Sequence, residues 1–181
     1  FFHHARAEQV DSVEALAALE RADGVFLTGG NQLQLMATLA GTRLAERLRR
    51  RHENGMPLAG SSAGASALSR VMISRGTRED AAQWSPPRMS QGLGVFPEAI
   101  IDQHFRERKR YQRLIEAIVG NPSLLGLGLD EATGFTVEGS GRLTVLGRGV
   151  LTIIDASQLQ AADIGPSGVD ESTAFAGLQM H

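Results

Sequence analysis

Residues 60–64, Gly60-Ser61-Ser62-Ala63-Gly64, set a serine between two glycines in the spacing G-x-S-x-G. A short apolar run at 56–60 precedes this serine and a small-residue helical stretch follows it. That context suits nucleophilic chemistry. A strand turning sharply into a helix demands small neighbours and lifts one hydroxyl clear of the backbone. It also aims the first N–H groups of the helix at the negative charge that develops on an attacked carbonyl oxygen. The spacing favours Ser62 as nucleophile, with Ser61 the competing choice. Ala63 N–H is the natural first oxyanion donor. Gly30 or Asn31, at the end of a neighbouring predicted strand, can supply the second. By itself G-x-S-x-G also fits a plain turn at a helix start, so partners must be sought.

A serine hydroxyl needs a base, and the base needs an orienting group. Five histidines are present: His3, His4, His52, His104 and His181. His3 and His4 lie in a terminal segment and His181 is the last residue. His52 follows Arg49-Arg50-Arg51 at a helix end, where a solvated role is expected. His104 alone closes a predicted buried strand, and ligands of open α/β sheets gather at strand C-terminal ends. For the acid, Asp130 and Glu131 interrupt an apolar run at another strand end. Asp102, two residues before His104, shares its face of the strand and can line the same pocket.

The elements that must position these groups follow from pattern. A helix is expected over 12–20, capped by Ser12, and a buried strand over 24–30. Asn31 caps a helix bearing Leu33, Leu35, Met36 and Leu39, and a further helix covers 42–51 with basic residues at its C-terminal end. Strands are expected over 56–60 and 98–104, a long loop over 74–91, and a helix over 106–119. Leu-Leu-Gly-Leu-Gly-Leu at 124–129 reads as a strand, followed by further short strands that look like hairpins and one starting near Ala174. This order predicts an α/β fold: a mostly parallel sheet with helices on both faces, a nucleophile elbow, and antiparallel strands toward the C-terminus. A single domain over 1–181 is expected. Both ends read as interruptions of a longer fold, so a bare strand edge or apolar patch is expected on these residues alone.

Composition removes several alternatives. With 18 basic and 20 acidic residues the net charge is -2, which gives no electrostatic case for nucleic acid or an anionic membrane surface. There is no cysteine, so disulfides, thiolate metal sites and thiol nucleophiles are out. No apolar run is long enough to span a bilayer.

Five segments together resemble the cyanophycinase family, serine peptidases of the class I glutamine-amidotransferase-like fold that are related to aspartyl dipeptidases. They are Gly-Gly-Asn-Gln at 29–32, Gly-Ser-Ser-Ala-Gly-Ala-Ser at 60–66, and the stretches 92–105, 121–133 and 147–157. The resemblance implies Ser62 as nucleophile, His104 as base and Glu131 as the group orienting it. It also implies that Gln32, Asp102, Arg110 and Arg113 line the substrate pocket. The implied reaction is hydrolysis of β-linked aspartyl bonds, with cyanophycin degraded to β-Asp-Arg dipeptides through an acyl-enzyme. Neither metal nor organic cofactor is implied. The partner is a peptide substrate, a homodimer stays open, and the cytoplasm is favoured over secretion. One departure concerns Arg106-Glu107-Arg108-Lys109, which stands where the family carries Ser-Gln-Arg-Gly; it bears on the substrate and not on the triad. Two rivals remain: a dipeptidase acting on short aspartyl or isoaspartyl peptides, and an inactive relative that binds a peptide. A glutamine amidotransferase is excluded, because the elbow carries serine.

Overall fold

The computed structural model describes residues 9–75, 87–159, 161–163, 174–176 and 179–181. The chain gathers into two compact units, one formed by residues 1–71 and 90–97 and the other by 72–89 and 98–181.

The first unit is built on capped helices. The Ser12 hydroxyl accepts from Ala15 N at 3.1 Å and starts α1 (Val13–Glu20), which buries Ala15, Leu16 and Leu19. β1 (Val25–Leu27) follows, then α2 (Gln32–Leu39), where Asn31 Oδ1 accepts from Leu33 N at 2.9 Å and Gln34 N at 3.2 Å. α3 (Arg43–Glu53) buries Ala45 and Leu48, and its Arg51 guanidinium donates to the carbonyls of Leu19, in the last turn of α1, and Ala22, just beyond it. β2 (Leu58–Gly60) pairs in parallel with β1, Val25 opposite Leu58 and Leu27 opposite Gly60. α4 (Ala63–Leu68) packs on both strands and on α2. The expected strand over 24–30 is thus three residues long, because its last glycines leave the ladder to form the turn.

Asp11 ties the start of this unit to α3. Its carboxylate accepts from Arg43 N at 3.0 Å and Leu44 N at 2.8 Å, and these backbone N–H groups hold it below the ordinary value of 3.8. A carboxyl whose folded value is depressed stabilises the fold above its unfolded value and loses that contribution as pH falls through the folded one. Asp11→Ala is therefore expected to melt below the parent at neutral pH. The gap should close as the pH drops below 3.8. Thermal melts across that range check it; a gap independent of pH would remove the capping role.

The chain passes to the second unit within β3 (Val71–Arg75), which pairs with β4 (Arg88–Gln91). The loop expected over 74–91 therefore has strand at both ends, and residues 76–86 lie outside the described residues.

The second unit centres on β5 (Ala99–Gln103), buried at every position, and β6 (Leu125–Leu129), which pairs with it in parallel. The parallel pairing read from the sequence is present here and at β1–β2. The sheet of this unit is nevertheless mixed. β9 (Leu151–Asp155) lies antiparallel against β6, and β12 (Gln179–Met180) lies antiparallel against β9, giving the order β12-β9-β6-β5. Between β6 and β9 the chain makes the hairpin of β7 (Thr133–Val137) and β8 (Leu143–Gly147), closed by Glu138 N donating to Arg142 O at 3.0 Å. β10 (Ala161–Asp163) and β11 (Ala174–Ala176) form another antiparallel pair, the latter beginning where a strand is expected.

α5 (Tyr111–Val119) packs on β5, β6 and β9. Its Leu114, Ala117 and Ile118 join Ile73, Ile100, Phe105, Leu124, Ile154 and Ala156 in one core. The alternating glycines of β6 explain the close fit. A Cβ at Gly126 would meet Ile118 and Leu114, and one at Gly128 would collide with the Phe105 ring. Because i and i+2 share a strand face, both glycines open the side on which α5 and Phe105 lie.

Candidate active site

The elbow at Ser62 is formed in the first unit. Gly60 ends β2, Ser61 N donates to Leu27 O at 2.9 Å, and Gly64 N returns to Ser61 O at 2.9 Å. Ser62 itself takes φ 50°, ψ −116°. A left-handed non-glycine residue costs of order 1–3 kcal/mol and must be held by its surroundings. Those surroundings leave no alternative. A side chain at Gly60 would lie 2.5 Å from the Gly64 backbone, and one at Gly64 would run into Leu27 O. The following residues of α4, Ala63 to Ala67, are all buried. The strained residue is Ser62 and not Ser61. Its hydroxyl makes no cap bond to α4, although it stands at the N-cap position.

The other expected residues of this unit lie in the turn after β1, at the start of α2 and at the start of α4. A Cβ at Gly29 would lie 3.3 Å from Ser62 Cβ, so the turn after β1 passes directly beside the serine. Gly30 is exposed in that turn, Asn31 is committed to capping α2, and Gln32 is half-buried at the first position of the helix. Ala63 is the first residue of α4 and is 1% exposed.

The second unit brings together His104 and Glu131. His104 follows β5 at φ 51°, and Glu131 follows β6 with Ala132 next at φ 52°. Two parallel strands therefore present their C-terminal ends side by side. His104 Nδ1 and Glu131 Oε1 lie 2.7 Å apart. A carboxylate at Nδ1 takes the proton of that nitrogen in its hydrogen bond, which makes Nε2 the basic one. The imidazole is 26% exposed and the Glu131 side chain 55%.

The sequence leaves open which member of Asp130-Glu131 serves the histidine, and the geometry separates them. Asp130 is buried. Its carboxylate accepts from Arg106 N at 3.2 Å and Val150 N at 3.1 Å, and pairs with the Arg106 guanidinium at 3.3 Å. Glu107, exposed on the same turn as Arg106, accepts from Glu131 N at 3.2 Å. These contacts have no pattern signal beyond an acid at a strand end and a charge run after His104.

Asp102, Arg110 and Arg113 form a cluster of their own. The Asp102 side chain is 1% exposed, and Arg113 grips it with two nitrogens: Nε donates to Oδ2 at 2.7 Å and Nη2 donates to Oδ1. Arg110 Nη1 donates to Asp102 Oδ1 at 3.3 Å, to Gln103 Oε1 at 3.1 Å and to Gln103 O. Burial pushes the Arg110 guanidinium down to about 10, and the charge of Arg113 pushes the same way. The three residues expected around a substrate are thus engaged with one another, with two positive charges against one negative. The helix carrying the arginines also starts later than expected. Residues 105–109 form a turn, with Arg110 N donating to Phe105 O at 2.9 Å and Lys109 at φ 49°, and α5 begins at Tyr111. Among the described residues no three His, Asp or Glu side chains are grouped to hold a metal ion, and no helix is long and apolar enough to cross a membrane.

Comparison with known proteins gives consistent results. The chain is 41% identical to the cyanophycinase of Trichormus variabilis over 175 residues, which is 96% of this chain and 59% of that protein. It is 40% identical to the cyanophycinase of Synechococcus elongatus over 169 residues, 93% of this chain and 52% of that one. The chain thus spans between half and three fifths of the relatives it matches. A crystal structure of a peptidase from an acI-B1 actinobacterium shares the fold, with a TM-score of 0.61 at 22% identity, over 97% of this chain and 66% of that one. The profile of peptidase family S51 matches residues 4–145, more than half of the sequence. The chain belongs to peptidase family S51.

Proposed function

We propose that the protein is a serine exopeptidase of the class I glutamine-amidotransferase-like fold that hydrolyses β-linked aspartyl bonds and releases β-Asp-Arg from cyanophycin. The observation that carries the reading is the His104–Glu131 pair, bonded at 2.7 Å through Nδ1, because it prepares Nε2 to accept a proton. For the reaction, Ser62 Oγ must come within about 2.6–3.2 Å of that nitrogen. Oγ attacks the carbonyl carbon while Nε2 takes the hydroxyl proton. The N–H groups of Ala63 and Gly30 receive the oxyanion. His104 then passes the proton to the departing amine, leaving an ester on Ser62. Water, deprotonated by the same nitrogen, attacks that ester, and the proton passes from His104 to Ser62 Oγ as the C–Oγ bond breaks and the acid leaves. Glu131 keeps the imidazole in one tautomer and one orientation throughout.

Substrate choice rests on charge. Two guanidiniums share one carboxylate at Asp102, and the surplus positive charge favours a substrate bearing free carboxylate. Arg110→Ala is expected to raise KM for β-aspartyl substrates more than it lowers kcat. Equal kinetics in the variant and the parent would leave Arg110 a structural residue.

The test is an assay of the full-length protein against cyanophycin, β-Asp-Arg and β-Asp-Leu. Release of β-Asp-Arg from the polymer is expected, with a serine-directed reagent labelling Ser62. Turnover of the dipeptides alone would make it a dipeptidase. A folded protein that neither labels nor hydrolyses would make it a binding relative.

A further inference from the structure

The His104 and Glu131 turns are each held by an acid from the other. His104 and Ala132 adopt left-handed conformations, so neither turn is at rest by itself. Asp130, beside Glu131, accepts the N–H of Arg106, two residues past His104. Glu107, three residues past His104, accepts the N–H of Glu131 itself. The ladder between β5 and β6 runs on into this region through Phe105 N donating to Leu129 O at 3.0 Å. Asp130 also takes Val150 N at 3.1 Å, which anchors the arrangement to the residue before β9. The result is a crossed clasp around the imidazole–carboxylate pair, in which neither acid needs to touch a substrate.

We infer that Glu107 and Asp130 are positioning residues that hold His104 and Glu131 in bonding geometry. The inference rests on the proposed peptidase reading for its kinetic consequence but not for its structural one. Without Glu107, the Glu131 N–H loses its acceptor on the neighbouring turn and the Glu131 backbone is free to pivot about Ala132. The carboxylate then swings relative to Nδ1. Glu107 is exposed and lies outside the core, so its removal should leave the fold intact. Asp130 is 4% exposed and accepts from two backbone N–H groups, so its removal costs stability as well as alignment.

The experiment compares Glu107→Ala, Glu107→Gln and Asp130→Asn in the full-length protein. It follows the imidazole Nδ1–H resonance of His104 by NMR, assigned by its loss in His104→Asn, together with the kinetics. Glu107→Ala should shift that resonance toward a solvent-exchanging imidazole and lower kcat about fivefold, with KM within about twofold. Glu107→Gln keeps an acceptor for the Glu131 N–H and should restore both. Asp130→Asn keeps one acceptor oxygen for two backbone N–H groups, so the same changes should appear in it wherever it folds. A folded Glu107→Ala with the parent's resonance and kcat would overturn the inference. Failure of Glu107→Gln to rescue would do so too, because charge and not the hydrogen bond would then be responsible. If the parent hydrolyses nothing, the peptidase reading fails while the resonance still decides whether the clasp exists.

Discussion

Replacing Ser62 by alanine is expected to lower kcat for β-aspartyl hydrolysis by at least about 10⁴-fold, with the fold unchanged. In the proposed reaction the Ser62 hydroxyl is the attacking atom, and Ser61 carries the one other hydroxyl of residues 60–64. The oxyanion donors and the His104–Glu131 pair remain, so binding should persist while turnover stops. Stability should hold because loss of one oxygen removes no core volume. Ser62→Gly sharpens the test. Glycine accepts φ 50° without steric cost, so it should be more stable than Ser62→Ala by about 1 kcal/mol and equally inactive. Kinetics and urea denaturation of the two variants measure both effects. Residual peptidase activity in purified Ser62→Ala would move the nucleophile elsewhere, with Ser61 the first place to look.

Asp102→Ala is expected to destabilise the protein by about 3–5 kcal/mol, among the largest losses a single side chain here should produce. The carboxylate is 1% exposed and answers two guanidiniums whose side chains are only 13% and 14% exposed. Removing it leaves two like charges facing each other without solvent enough to screen them. Asp102→Ala combined with Arg113→Met should recover part of the loss, because one of the two like charges is then replaced by an apolar side chain. Denaturant midpoints for the parent, the single variant and the double variant decide it. A single variant within about 1 kcal/mol of the parent would mean that water already enters the cluster.

The parts of this site legible in the sequence are those governed by local geometry. Gly60 is required by close approach to the Gly64 backbone four residues on, so this part of the elbow shows in the spacing, whereas Gly64 makes room for Leu27 O of a distant strand. His104 and Glu131 close buried strands, and strand ends can be read from where an apolar run stops. What pattern cannot carry is pairing between distant segments. Nothing in Leu151 to Asp155 announces that this strand passes over the preceding hairpin to lie antiparallel to β6. The start of α5 is hidden for a different reason. Arg106 to Arg110 is a charge run compatible with helix, and only the left-handed Lys109 and the bond from Arg110 N to Phe105 O make it a turn. Asp102 was legible as a buried polar residue near the base, whereas its engagement with Arg110 and Arg113 depends on α5 folding back over β5. The division of labour between Asp130 and Glu131 likewise depends on Val150 and Arg106 arriving from other elements.

Phe105 is fully buried, follows His104 directly in the chain, and lies over Gly128 with its ring 4.5 Å from that of Tyr111. The alignment of the base is therefore inherited from the middle of β6. A methyl group added at Gly128 would displace the ring and, through one peptide unit, the imidazole, without altering any group that meets the substrate. Over evolutionary time, acceptable changes in this strand are then screened by rate before they are screened by melting. Gly128 should drift more slowly than other buried positions of this strand, because packing and the placement of His104 both act on it.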